Sequence, residues 1–304
     1  MLRIFFRNSI ISKRPKNPYV TGNVVGESQV FIGRTDILHA TDKILSHSQQ
    51  NVVVLFGEQR IGKTSVLTAL KARLLDDKKG SYQPIYLNLA DIMHHPLEAI
   101  LNDLAKAIYT ELQRLNIEEP QWNNTKNQSH DWLIELLNNQ LAGRTLVLLL
   151  DEFNAVNDTK QLIREEFFHY LKSLLSIDTK RLNIVFAIGC STIDNFEVAL
   201  AFFDESMSRY HVCHFTEADT YKLIRLSENN YSLYWSKEAV KKVWELTHGH
   251  PLLTQLLCSC LWQQAWSQNP TYIPTITPQQ IDSIACSGLS ACKEAIEAIA
   301  ALTD

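Results

Sequence analysis

A three-layer α/β domain built on a parallel sheet, followed by a small all-α lid domain, is the fold class this sequence predicts, and three observations predict it. Short apolar runs alternate with amphipathic stretches of helical period between residues 36 and 189. Two of those runs, VVVLF at 52–56 and LVLLL at 146–150, are apolar at every position, as strands are when helices cover both faces of a parallel sheet. After residue 216 the strand signals stop, and helical stretches separated by polar turns remain.

The elements follow in order. Ile37, Leu38, Thr41, Ile44 and Leu45 recur at helical spacing within 36–49, and the β-branched run at 51–56 ends at Gly57. Val66, Leu67, Leu70 and Leu74 give Lys63–Leu75 one apolar face. PIYLNL at 84–89 predicts a second strand, 97–115 and 131–141 predict helices, and TLVLLLDE at 145–152 predicts a third strand. A helix over 159–175, a strand at 183–189 and a short strand over HVCHF at 211–215 complete the α/β part. Helices are expected at 217–227, 237–247, 252–266 and 278–302. The expected organisation is a basic N-terminal segment and linker over 1–30, an α/β domain over 31–216 and a helical domain over 217–304.

The composition narrows the function classes. The chain has 304 residues, 45% hydrophobic and 20% charged, with a net charge of -4, so it can bury a substantial core and is not predominantly disordered. A mildly acidic balance argues against a protein whose main work is neutralising nucleic-acid phosphates. Six cysteines without metal-ligand spacing read as reduced thiols of a cytoplasmic protein. The longest apolar runs fall far short of the roughly 20 residues that span a bilayer. Residues 1–25 carry Arg3, Arg7, Lys13, Arg14 and Lys16 and no acid; a transit peptide has this pattern, and so does a flexible basic start.

Chemistry concentrates in two places. Gly57-Glu58-Gln59-Arg60-Ile61-Gly62-Lys63-Thr64, followed by Ser65, fills the phosphate-loop pattern GxxxxGK[ST] between a strand and a helix. By average residue usage such a match arises by chance on the order of once per hundred chains of this length. Backbone N–H groups at the turn and helix start would face a polyphosphate, Lys63 would supply a point charge, and the Thr64 hydroxyl would hold Mg²⁺. A strand-to-helix turn with two glycines is the bland alternative, and it leaves Lys63 unexplained. The second place is Asp151-Glu152, at the carboxyl end of an apolar strand, where α/β folds bind ligands. Asp151 would hold Mg²⁺ through water and Glu152 would act as general base. Taken alone, that dipeptide would mark only a solvated loop or helix start.

These residues, with Asn17-Pro18-Tyr19, Phe31-Ile32-Gly33-Arg34, Gly189-Cys190-Ser191 and Gly249-His250-Pro251, make the chain resemble the AAA-like branch of P-loop ATPases and, within it, the STAND-type signalling ATPases. The resemblance covers about residues 18–265. It implies a bilobed clamp around ATP, with Phe31, Ile32, Gly33 and Arg34 near the adenine and Pro251 reaching the nucleotide from the helical part. It implies a γ-phosphate contact from Ser191, with Cys190 and Thr192 as register alternatives and a helix N-cap as the other reading. Arg209 resembles an arginine finger offered to a neighbouring subunit, which implies self-assembly; an exposed helix-end arginine is the alternative. Arg34 reads equally as a structural ion pair, and Pro251 as the first residue of a helix. The family usually continues into further modules, so Glu294–Leu302 is expected to begin one, with the effector either missing or a separate protein.

The functional expectation is an ATP-binding regulatory ATPase, slow in turnover, with ATP and ADP as ligands, Mg²⁺ as cofactor and a protein effector as partner. Two alternatives stand beside it: a DNA-associated AAA+ ATPase of the helicase-loader or transposition-regulator kind, and an interaction module that holds nucleotide without hydrolysing it.

Overall fold

The computed structural model describes residues 14–22, 24–26, 30–46, 51–113, 126–141, 143–156, 159–177, 181–189, 207–268 and 270–286. The chain divides into two units, one of residues 34–59 and 63–212, the other of 1–33, 60–62 and 213–304.

The first unit is an α/β layer structure. Its strands are β1 (Val52–Gly57), β2 (Tyr82–Asn88), β3 (Thr145–Asp151), β4 (Leu182–Gly189) and β5 (Met207–His211). They form one parallel sheet in the order β2-β3-β4-β1-β5. The helices are α1 (Thr35–Ser46), α2 (Lys63–Leu75), α3 (Leu97–Leu112), α4 (Lys126–Glu135) and α5 (Gln161–Ile177), with α4 passing into a π-helical turn, Leu136–Gln140.

Period-two alternation divides the strands between two faces. Ile85 and Leu87 of β2, Leu148 and Leu150 of β3, and Ile184 and Phe186 of β4 join one core with Ile100, Leu104 and Ile108 of α3 and Phe167 and Leu171 of α5. The opposite face carries Val53, Leu55, Val147, Leu149 and Val185, also buried, and α2 lies against β1, β2, β3 and β4. Burial on both faces is why these strands are apolar without alternation.

The fifth strand differs from the expectation at 211–215. Met207–His211 pairs with Val52–Phe56, and the Val212 N–H continues the ladder, donating to the Phe56 carbonyl at 2.7 Å. The more apolar HVCHF run drew the expectation. The strand is the half-polar MSRYH because an edge strand has one neighbour, and its residues are partly or fully exposed.

The second unit contains α6 (Glu217–Ile224), a single turn α7 (Leu226–Asn229), α8 (Lys237–Thr247), α9 (Pro251–Ser267) and α10 (Pro278–Cys286). Thr216 and Ser236 cap α6 and α8 by accepting from the Asp219 and Ala239 N–H groups. This unit is mainly helical, but β6 (Tyr234–Trp235) and β7 (Thr275–Ile276) add a two-residue parallel pairing that the sequence did not signal. Trp235, Trp262 and Trp266 are core residues, and each indole N–H has a partner: Ser227 Oγ at 2.9 Å, Ser232 Oγ at 3.0 Å and the Ser232 carbonyl at 2.9 Å.

Residues 14–20 pack on this same unit. The Tyr19 hydroxyl donates to the Ile224 carbonyl, the Val20 N–H to Gln255 Oε1 and the Asn17 amide to Ser259 Oγ. The Arg14 guanidinium lies 4.9 Å over the Trp262 ring. Residues 1–13 and the expected helix start at Glu294–Leu302 lie outside the described residues. Among the described residues, no helix is long and apolar enough to cross a membrane.

Candidate nucleotide site

The phosphate loop begins where β1 ends. Gly57 faces Gly189, the last residue of β4, so two residues without side chains meet at the carboxyl edge of the sheet. Beyond it the side chains of Glu58, Gln59 and Arg60 are exposed, and Ile61 is buried. The turn uses the left-handed region twice, at Arg60 (φ 60°) and Gly62 (φ 100°). For arginine this costs about 1–2 kcal/mol, whereas glycine adopts it freely.

Helix α2 starts at Lys63 with no acidic residue in its first turn. The first-turn N–H groups of Lys63, Thr64 and Ser65 therefore present the positive end of the helix dipole without a carboxylate to neutralise it. The Lys63 ammonium donates to the Gly57 and Glu58 carbonyls at 3.1 and 2.7 Å, which holds the cation over its own loop.

The acidic end of β3 is built differently. Asp151 is only 3% exposed, and both of its oxygens accept hydrogen bonds, Oδ2 from the Tyr86 hydroxyl at 2.8 Å and Oδ1 from the Glu152 N–H at 2.9 Å. Tyr86 and Asp151 lie on the sheet face covered by α2, since Tyr86 pairs with Leu149 and Asn88 with Asp151 in the β2–β3 register. Burial, and then the bond to Asp151, push the Tyr86 phenol far above its ordinary range, so it stays a donor.

Glu152 is exposed and left-handed, with φ 50°. Such a conformation persists where its surroundings over-determine it. Here the Glu152 carbonyl accepts from the Ala155 N–H at 3.0 Å, Phe153 is fully buried with its ring centroid 4.3 Å from that of Phe186, and Asn154 Oδ1 accepts from the Gly189 N–H at 2.9 Å. A Cβ on Gly189 would lie 2.7 Å from the Asn154 amide nitrogen, so a side chain there would displace that amide.

Strand β4 separates the loop strand from the acidic strand. Two strand spacings amount to roughly 10 Å, room for a phosphate, a metal ion and a water. A hydroxyl and a buried carboxylate are hard oxygen donors that suit Mg²⁺, which keeps most of its waters and takes few protein ligands. Each Asp151 oxygen, with one bond accepted, retains a lone pair. Among the described residues no group of three or more His, Cys, Asp or Glu could hold a metal, so an ion here would complete its shell with phosphate and water.

The remaining candidates belong to other elements. Gly33 (φ 71°) packs under Asp219 and Phe215, with Ile32 against the helical core and Phe31 beside it in sequence, partly exposed. Arg34 is left-handed (φ 62°) and its carbonyl accepts from the Leu38 N–H in the first turn of α1. Pro251 is buried as the first residue of α9. Gly249 is demanded by packing: a Cβ there would lie 2.5 Å from both the Phe215 carbonyl oxygen and the Trp244 ring. Arg209 sits in the middle of β5 opposite Val54, exposed on an edge strand, so the helix-end alternative is corrected. Ser191, with Cys190 and Thr192, lies outside the described residues.

Sequence reasoning missed Tyr86 and Asn154. Asn154 follows the acidic pair closely enough to have been considered. Tyr86 became visible only with the register of β2 on β3.

Comparisons with known proteins agree with this architecture. The profile of a family described as an ATPase domain predominantly from Archaea matches residues 31–256. No curated protein matches the sequence. Among solved structures, the Walker-type ATPase of Pyrococcus abyssi superposes with a TM-score of 0.59 at 12% identity, over 77% of this chain and 68% of that one. The ORC2 protein of Aeropyrum pernix, solved as ADPNP–ADP complexes, gives 0.61 at 13% identity, over 88% and 72%. The ORC1 protein of the same organism, solved with DNA, gives 0.56 at 14% identity, over 83% and 64%. At such identities the likeness is one of fold.

Proposed function

The chain belongs to the family of ATPase domains found predominantly in Archaea, and from that premise we propose that it is a slow regulatory ATPase of the STAND-like kind, binding and hydrolysing ATP with Mg²⁺ in the cytoplasm. One observation carries the reading: the two acids at the end of β3 are in opposite states. Asp151 is buried and held at both oxygens, which suits a metal holder, whereas Glu152 is exposed, which suits a base that meets water, and its left-handed backbone fixes where it stands.

The chemistry follows from these residues. Loop N–H groups bind β- and γ-phosphate oxygens, and the Lys63 ammonium exchanges the Gly57 and Glu58 carbonyls for them. Thr64 and Asp151 would hold Mg²⁺, Asp151 through water; the ion supplies charge neutralisation on the phosphates. Glu152 takes a proton from water as its oxygen bonds to the γ-phosphorus, and the bond to the bridging oxygen breaks to release ADP and phosphate.

For regulation, we propose that nucleotide state biases the helical unit and so the binding of a protein effector. To move such a switch from mostly one state to mostly the other, ATP and ADP must differ by about 5 kcal/mol in their preference for the two. Pro251 and residues 31–34 as nucleotide contacts, Ser191 as a γ-phosphate sensor and Arg209 acting on a neighbouring copy belong to this proposal. Hydrogen exchange over residues 237–265 should slow with ATP and Mg²⁺, more than with ADP. Equal protection in the apo, ADP and ATP forms would reduce the protein to a nucleotide-holding module, as would tight ATP retention without phosphate release over multiple turnovers.

A second reading is favoured by the likeness to a protein solved with DNA: a DNA-associated ATPase. DNA retention that falls steeply with salt would select it.

A further inference from the structure

We infer that Tyr86 is a positioning residue for the metal-holding carboxylate: its hydroxyl, reaching from β2 to Asp151 on β3, fixes the orientation in which Asp151 meets the divalent ion. The inference rests on the ATPase reading of the site and adds a residue to it that lies outside both sequence motifs.

The geometry separates what the strand does from what Tyr86 does. Asp151 sits at the last position of β3, and its own chain supplies one contact, from the Glu152 N–H to Oδ1 at 2.9 Å. With that contact alone the carboxylate plane could still swing about the bond to Cβ. The Tyr86 hydroxyl takes Oδ2 at 2.8 Å from the neighbouring strand, and a second point of attachment stops the swing.

The register makes the contact possible. Asn88 lies opposite Asp151, so Tyr86, two residues earlier, stands on the same face. The ring is half-buried against that face, where phenylalanine would pack as well; only the hydroxyl requires tyrosine.

A purely structural role, satisfying a buried carboxylate, would appear as lost stability. A positioning role appears as lost metal affinity, of the size that outer-shell partners of metal ligands usually carry, about 10–100-fold.

The test uses the full chain with Tyr86→Phe, which retains the ring. Three quantities are read: affinity for a fluorescent ATP analogue in EDTA, ADP-dependent Mn²⁺ binding from the electron paramagnetic resonance of free Mn²⁺, and Tm. We expect unchanged analogue affinity without metal, and Mn²⁺ binding weaker by at least tenfold. In an Asp151→Asn background, adding Tyr86→Phe should weaken Mn²⁺ binding no further, because the hydroxyl acts through the carboxylate. Mn²⁺ affinity equal to wild type, whatever the Tm, would overturn the inference and leave the ATPase reading intact. An equal loss in the Asp151→Asn background would also overturn it, since Tyr86 would then act by another route. Absence of nucleotide-dependent Mn²⁺ binding in the wild-type protein would remove the ATPase reading, and the inference with it.

Discussion

The phosphate loop and the acidic end of β3 sit at the same edge of one sheet, yet they are held in opposite ways. The loop is shaped by backbone: left-handed residues at Arg60 and Gly62, a helix start at Lys63, and a lysine bonded to carbonyls five and six residues before it. The acidic end is shaped by side chains from other elements, with Tyr86 arriving from β2 and Asn154 tying the turn to the end of β4. Local geometry suits a task that every nucleotide state shares, the cradling of phosphates. Long-range contacts suit a task that must place one carboxylate for a metal and leave its neighbour facing water.

If this division is right, perturbing each half should damage a different quantity. The largest effect on binding is expected from Lys63→Ala, which removes the loop's fixed side-chain cation. ATP affinity should fall on the order of 100-fold, in keeping with the loss of charge-assisted bonds to phosphate. Titration with a fluorescent analogue reads it, and an affinity within a few-fold of wild type would break the comparison at the loop.

A smaller effect is expected from Asn154→Ala, which deprives the Gly189 N–H of its acceptor. Stability should drop by about 1–2 kcal/mol, and hydrolysis should fall more than ATP affinity, because the turn carrying Glu152 loosens. Denaturant melts beside single-turnover kinetics separate the two. Equal losses in binding and hydrolysis would mean that Asn154 supports the sheet edge in general.

The smallest concerns strain. Glutamate at φ 50° costs about 1–2 kcal/mol and glycine does not, although glycine gives back part of that through its freer unfolded chain. Glu152→Gly should therefore be about 1 kcal/mol more stable than Glu152→Gln while both hydrolyse ATP far more slowly than wild type. Glycine less stable than glutamine would show that the Glu152 side chain contributes to folding.

The same contrast explains how much was legible in the sequence. A contiguous motif with a strand before it and a helix after it was readable in full, and α2 and α8 begin and end where the sequence places them. Strands β1, β3 and β4 were visible because burial on both faces makes them apolar at successive positions. The edge strand β5 was displaced because its half-polar residues signal less than the apolar run after it. Tyr86 could not be seen, because a bond across 65 residues depends on register, and one residue of slip would have turned it to the other face.

The helical unit teaches the same lesson. The partners of its buried tryptophans, Ser227 and Ser232, lie on a separate turn, and Tyr19 docks beside them from the far N-terminal side of the chain. Tertiary hydrogen bonds, unlike hydrophobic period, leave no local trace.

The central claim is that binding and chemistry are assigned to separate acids and a separate loop, and Glu152→Gln tests it most directly. ATP affinity with Mg²⁺ should stay within about twofold of wild type, while single-turnover hydrolysis should slow by on the order of 10²–10⁴, since the amide keeps the shape and loses the basic lone pair. Loss of affinity matching that of Lys63→Ala, or hydrolysis at the wild-type rate, would contradict it.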